Sequence, residues 1–362
     1  MLDPVKILAR PIRIQTVVLA ILVPIYVLFS LFLFFQWVAP SLDGRVDQHI
    51  AADSSTYMYM ADVIRDGTPD PAVSAALASF PNTLWAPVLL AFLLKNTFYM
   101  VIADYAMFFL SLYLLKRSFP CSFAALLGFL LLNATTTISL LSVNKEIIDL
   151  LILSLFLFAR RNGFYVLLIL SLLLALFNRF EVCLVLLLYM AVESRLNPWR
   201  QNRRFTLVLL LITLSILLPL AASKTLAAHF EEASNSNTTA FLDTLEMNYL
   251  YGIAVIPKVA ENFFGELLNV SKWVNSYSTS DLANSYIVFS NNLATLVVLV
   301  VIAARRTLTL RSDLVYFAAL GSIIMGIALV VQPRYFYFVY VLLCLQAALP
   351  KMPRPPKLSA PA

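Results

Sequence analysis

Long apolar runs alternate with short charged interruptions along the chain. Ten runs have the length or continuity of membrane helices, at about 16–38, 98–115, 120–142, 147–159, 163–177, 180–194, 205–222, 285–303, 314–332 and 335–349. The first is too long for the core of a cleavable signal, and no small-residue cleavage site follows it. A further run, 84–94 (LWAPVLLAFLL), is too short to span and is placed at the interface. The expected fold is an all-α polytopic membrane protein with about ten transmembrane helices, one transmembrane domain over 1–349. Two outer loops are long, 39–97 and 223–284, and both are expected to contain amphipathic helices. Residues 350–362 form a Pro-rich, solvated, cytoplasmic tail.

Charge orients this arrangement. One set of connections holds Lys6, Arg10 and Arg13; Lys116 and Arg117; Arg160 and Arg161; Arg195, Arg200, Arg203 and Arg204; Arg305, Arg306 and Arg311; and Lys351, Arg354 and Lys357. These are 17 of the 26 basic residues, so the positive-inside rule puts both termini in the cytoplasm. If 84–94 crossed, every later cluster would change sides and the bias would reverse. Most acidic residues lie on the opposite, outer side. A chain with its long loops outside is expected to work there.

Composition removes other classes. The chain is 61% apolar and only 13% charged, which excludes an ordinary soluble enzyme, a disordered protein and a disulfide scaffold. Cys121, Cys183 and Cys344 sit in separate apolar runs, and the two histidines, His49 and His229, lie far from them. A Cys/His zinc site is therefore not expected. The net charge of +6 is spread in small clusters between apolar runs, so it serves orientation and not nucleic acid.

Several runs are too short to cross. Fifteen helical residues rise about 22 Å against a hydrocarbon core of about 30 Å. Their inner ends are fixed by basic pairs, so the shortfall is expected outside, as a polar depression. The residues at those outer ends are Asn144, Lys145 and Glu146; Asn178, Arg179 and Glu181; and Gln332, Arg334 and Tyr335. Ionisable groups at membrane depth are costly and normally line a cavity or pair with each other. Ordinary wetted turns, with Lys145–Glu146 and Arg179–Glu181 as surface pairs, are the alternative. Two more acids, Asp104 and Asp149, fall inside spans. Burial with hydrogen bonds between helices is the preferred reading; for Asp149 an extension of the outer cavity is the other, and a proton or ion path is the functional alternative for both.

The first outer loop carries Asp43, Asp47 and the stretch Asp53-Ser54-Ser55-Thr56-Tyr57. Asp53 and Tyr57 share a helix face, and Asp53 also suits a helix N-cap. A capped amphipathic helix on the membrane is one reading. The other is a resemblance. D-x-x-x-Y in a first outer loop resembles the GT-C superfamily of integral membrane glycosyltransferases, and related patterns occur in exopolysaccharide and O-antigen polymerase-like proteins. Asn144-Lys145-Glu146 is similar to their polar outer turn. Asn178-Arg179-Phe180-Glu181 is similar to their arginine–acid turn, with Phe180 where proline is common. Gln332-Pro333-Arg334-Tyr335 is similar to the R-Y turn before the last span. The loop lacks the adjacent acidic pair of metal-using members; Asp43 and Asp47 remain oxygen donors suited to Mg²⁺ or Mn²⁺, without a spacing that requires either.

The resemblance implies a polyprenyl-(di)phosphate-linked sugar donor and a glycan or lipid acceptor at the outer face of a bacterial cytoplasmic membrane. It implies Asp53 as the base that takes the acceptor proton. Arg334, Lys145 and Arg179 are then the cations for the lipid phosphate. Glu146 and Glu181 orient their basic neighbours or contact sugar hydroxyls. Tyr57 and Tyr335 stack on sugar rings, unless they are interfacial anchors. Within this class the alternative is a Wzy-like polymerase joining repeat units. Outside it stand a transporter or flippase of a lipid-linked substrate and a structural membrane protein.

Overall fold

The computed structural model describes residues 14–42, 52–66, 84–225, 245, 248–268, 279–327 and 333–350. Every regular element among them is helical. Asp43, Asp47, Gln332, half of 223–284 and the terminal tail lie outside the described residues.

The chain divides into two compact units, Met1–Ile50 and Ala51–Ala362. The first contains α1 (Ile14–Leu33), which runs on through a π-helical stretch, Phe34–Val38, and a last turn, Ala39–Leu42. Pro24 lies inside α1, and Ser30 bonds back to the Tyr26 carbonyl. Ile21, Ile25, Leu28 and Phe32 are exposed apolar residues, as expected where the solvent is lipid.

The second unit holds the helices that build the site. They are α2 (Ala52–Asp66), α3 (Trp85–Phe92), α4 (Thr97–Ser118), α5 (Phe123–Leu132), α6 (Ala134–Leu141), α7 (Glu146–Asn162), α8 (Tyr165–Asn178), α9 (Phe180–Val192), α10 (Arg203–Thr225), α11 (Tyr251–Leu268), α12 (Thr279–Ala304), α13 (Asp313–Met325) and α14 (Tyr337–Ala348). Each apolar run read from the sequence is helical over most of its described length. Among the described residues, two helices, Thr97–Ser118 and Ile287–Ala304, are long and apolar enough to cross a membrane; a bent pair makes three. The chain is therefore compatible with a helical membrane protein.

The middle of the unit is α14, buried at all twelve positions. A helix apolar all round must be covered all round, and α5, α7, α12 and α13 do so. By contrast, α8 exposes Tyr165, Val166, Ile169 and Leu173, and α10 exposes Val208, Ile212 and Ile216. Such contiguous apolar faces suit contact with lipid.

Run 120–142 is not one straight helix. It breaks between α5 and α6 with a bend of 83°. Asn133 makes the corner: its side chain accepts from the Thr135 N–H at 2.9 Å and so caps α6. Asn291 secures the corner from α12, accepting from the same N–H at 3.0 Å and donating to Thr135 Oγ1 at 2.8 Å. The bend turns α6 toward the start of α7.

Segment 84–94 forms the short helix α3 and docks on the end of α8, where the Leu84 N–H donates to the Phe177 carbonyl at 3.1 Å. In 223–284, α11 buries Tyr251, Val255, Lys258 and Asn262. Tyr251 and Val255 pack against Ile323, Leu207 and Leu211, so this helix is set into the unit.

Candidate functional site

Three turns meet at one end of the second unit. The first leads from α6 into α7 and places Glu146 and Asp149 in the first turn of α7. Three residues apart, they share a helix face. Carboxylates are also favoured at a helix N-terminus by the backbone dipole. The second turn joins α8 to α9 through Arg179, whose backbone is extended. The third is the 3₁₀ turn Pro333–Phe336 before α14.

Arg179 reaches across to the first turn. Its Nη2 donates to Glu146 Oε1 at 3.1 Å, and its Nε lies 3.4 Å from Asp149 Oδ2. Asn178 Nδ2 donates to Asp149 Oδ1 at 2.8 Å and to the Lys145 carbonyl at 3.3 Å. Ser139 Oγ donates to Glu146 Oε2 at 3.5 Å. The three charged side chains are 3%, 1% and 0% exposed for Arg179, Glu146 and Asp149. Charge at that depth persists only when paired and hydrogen-bonded. Arg179 Nη1 and Asn178 Oδ1 still have no hydrogen-bond partner among the described residues.

Aromatic rings and further cations surround this ion triad. Tyr57 is buried, with Lys145 Nζ 6.0 Å from its ring centre. Ser54, one turn earlier on α2, donates to the Val143 carbonyl at 2.9 Å and ties α2 to the same turn. The Tyr335 ring lies 5.4 Å from the Arg179 guanidinium carbon and 5.6 Å from that of Arg334. It thus sits within cation–π range of both. Lys145, Glu181, Arg334 and Tyr335 are half-buried.

The structure therefore brings together Lys145, Glu146, Arg179, Tyr57, Arg334 and Tyr335. Asp53 stands on α2 one turn before Tyr57; Asp43 and Asp47 lie outside the described residues. The ion pairs of Arg179 run across the turns to Glu146 and Asp149, not along the chain to Glu181. The group at the heart of the cluster is a packed triad and not an open, wetted depression; only its neighbours are half-exposed. Asp149 belongs to the triad, which its spacing from Glu146 would have suggested. Asp104 differs from its expectation: it is fully buried in α4, but neither carboxylate oxygen has a hydrogen-bond partner among the described residues. No group of three His, Cys, Asp or Glu side chains capable of holding a metal ion occurs among the described residues.

No family model, curated protein or solved structure matches this chain.

Proposed function

We propose that this protein is a GT-C-type membrane glycosyltransferase with about ten spans. It moves a sugar or oligosaccharide from a polyprenyl-(di)phosphate to a glycan or lipid acceptor on the outer face of a bacterial cytoplasmic membrane. The observation that carries the reading is the meeting of three distant turns, with Arg179 between Glu146 and Asp149 and with Lys145, Arg334, Tyr57 and Tyr335 around them.

The roles divide by exposure. Lys145 and Arg334 are half-buried and accessible to an anion, so they hold the donor phosphate. Arg179 is buried and locked between two carboxylates, and it positions the turns. Asp53 takes the proton of the acceptor hydroxyl. The acceptor oxygen then bonds to the anomeric carbon, and the bond from that carbon to the phosphate oxygen breaks. The electron pair leaves on the polyprenyl phosphate, whose charge the cations stabilise. Tyr335 offers a ring face to the sugar.

The test is the glycan profile of cells lacking the protein, complemented with variants. Lipid-linked glycans accumulate on removal, and Asp53→Asn and Arg334→Ala each abolish transfer while the protein still inserts. Full activity in both variants overturns the assignment. Loss of long polymer with single repeat units retained selects the polymerase form of the reaction. A second reading, a transporter or flippase of a lipid-linked substrate, draws on Asp104, a carboxyl group buried inside a span without a hydrogen-bond partner among the described residues. Uptake into liposomes with no new glycosidic bond selects it.

A further inference from the structure

A second polar site lies at the other end of α9. This helix begins beside Arg179 and ends beside Glu193, so its thirteen residues separate the two sites by about 20 Å. There, residues 200–204, 308–311 and Asp313 wall a cavity of about 1150 Å³. Four arginines line it, Arg200, Arg203, Arg204 and Arg311, against two acids, Glu193 and Asp313.

The arginines are not equivalent. Arg203 is structural: it donates to the Leu310 and Arg311 carbonyls at 3.0 Å each, to Glu193 at 2.9 Å and to Asp313, and it lies 4.8 Å over the Tyr316 ring. It clamps the two walls together. Arg200 lies 3.7 Å from Glu193. Both acids are thereby committed. Arg204 and Arg311 are exposed and make no ion pair among the described residues, leaving a surplus of two positive charges facing the cavity.

The surroundings select what the surplus charge meets. Arg204 begins a row on α10 that continues through Val208, Ile212 and Ile216, each four residues on and each about half exposed. Four-residue spacing keeps these side chains on one face, and the row runs about 18 Å along the helix. Leu308 lines the cavity and is exposed, and exposed Leu196 and Trp199 immediately precede its Arg200 in the chain. Tryptophan beside arginine at the end of an apolar helix is the pattern of a membrane–water boundary. A cation pocket with an apolar stripe leading from it matches a headgroup with an acyl chain.

We propose that this cavity binds the phosphate headgroup of an anionic phospholipid, with Arg204 and Arg311 as its cations and the Val208–Ile212–Ile216 stripe along its acyl chain. A free phosphate would use the same arginines but not the stripe.

Native mass spectrometry of the detergent-purified full chain with dioleoyl-phosphatidylglycerol, dioleoyl-phosphatidylcholine or inorganic phosphate tests this. Phosphatidylglycerol is retained over phosphatidylcholine. Its affinity falls about tenfold or more in the Arg204→Gln/Arg311→Gln double variant and falls with added salt, as for juxtamembrane basic groups. Both side chains are exposed, so the double variant keeps the monodisperse profile of the parent. Arg117→Gln, an exposed arginine outside the cavity, leaves affinity unchanged. Equal binding of the two lipids, or parental affinity in the double variant, overturns the proposal. Displacement of phosphatidylglycerol by millimolar inorganic phosphate also overturns it and makes the cavity a free-anion site.

Discussion

Arg179 and Arg203 are both arginines paired with two carboxylates, and both join segments distant in sequence. They differ in burial. Arg179 is 3% exposed and its acids 1% and 0%; Arg203 is 18% exposed and its acids 7% and 70%. The same chemical unit therefore does two jobs. Out of water, each charge needs its partners, because removing one leaves the others desolvated and unpaired. Near water, the partners are replaceable by solvent, and the worth of the unit is mainly geometric. At one end the ion triad fixes the ends of three helices. At the other it clamps two loops around a cavity.

The largest expected effect breaks the buried unit. Arg179→Ala leaves two carboxylates buried without their cation, at a cost of about 3–5 kcal/mol. Thermal unfolding in detergent reads it. Replacing all three groups with neutral counterparts, Arg179→Met with Glu146→Gln and Asp149→Asn, removes the unpaired charge along with the pair. This triple variant is expected to be more stable than Arg179→Ala alone. If it is less stable, charge pairing is not what holds the cluster.

Arg203→Ala is expected to cost less, about 1–2 kcal/mol, because the acids it leaves gain water or, for Glu193, retain Arg160 and Arg200. An unfolding shift as large as that of Arg179→Ala would erase the distinction between the two ends. Asn291→Leu sharpens the contrast from another side. It removes the two contacts that secure the bend before the buried cluster, at about 1 kcal/mol. Hydrogen exchange should rise across 142–149 and stay unchanged across 200–204.

The helices were legible in the sequence because apolar continuity decides them. The bend at Asn133 was not, because the run 120–142 contains no proline or glycine near that point. Its signal is Asn133-Ala134 followed by three threonines, the composition of an N-cap inside a leucine-rich stretch. The three turns of the candidate site were legible as polar clusters on short helices. Their wiring was not. Lys145–Glu146 and Arg179–Glu181 are neighbours in sequence, but side chains one or two residues apart do not face each other on a helix. The pairing went across to Glu146 and Asp149, a distance that only the fold fixes. The arginines of the inner connections were read for orientation alone, since a count of charges does not say which of them are already paired.

A third cation with two acids completes the series at its exposed end. Lys95, in the turn after α3, pairs with Asp62, and its Nζ lies 3.5 Å from Asp66. These acids end α2, so the lysine pins that helix beside α3. Its pKa is raised, first by the hydrogen bond with Asp62; burial is the next largest effect and opposes it, and the charges of Asp62 and Asp66 then add to the rise. A raised folded-state value means that the contact contributes fully below the unfolded lysine value, about 10.4, and is lost as pH rises through the folded one. Protection factors over 58–66, with the intrinsic pH dependence of exchange divided out, should therefore be flat through neutral pH and fall only in strong alkali. Lys95→Met should give the alkaline pattern at pH 7, while 144–149 stays protected in both. Because all three groups are wet, this is the smallest of the effects. If Lys95→Met exposed the Arg179 triad as well, the exposed pair would have to hold the buried one in place, and burial would no longer rank the three clusters.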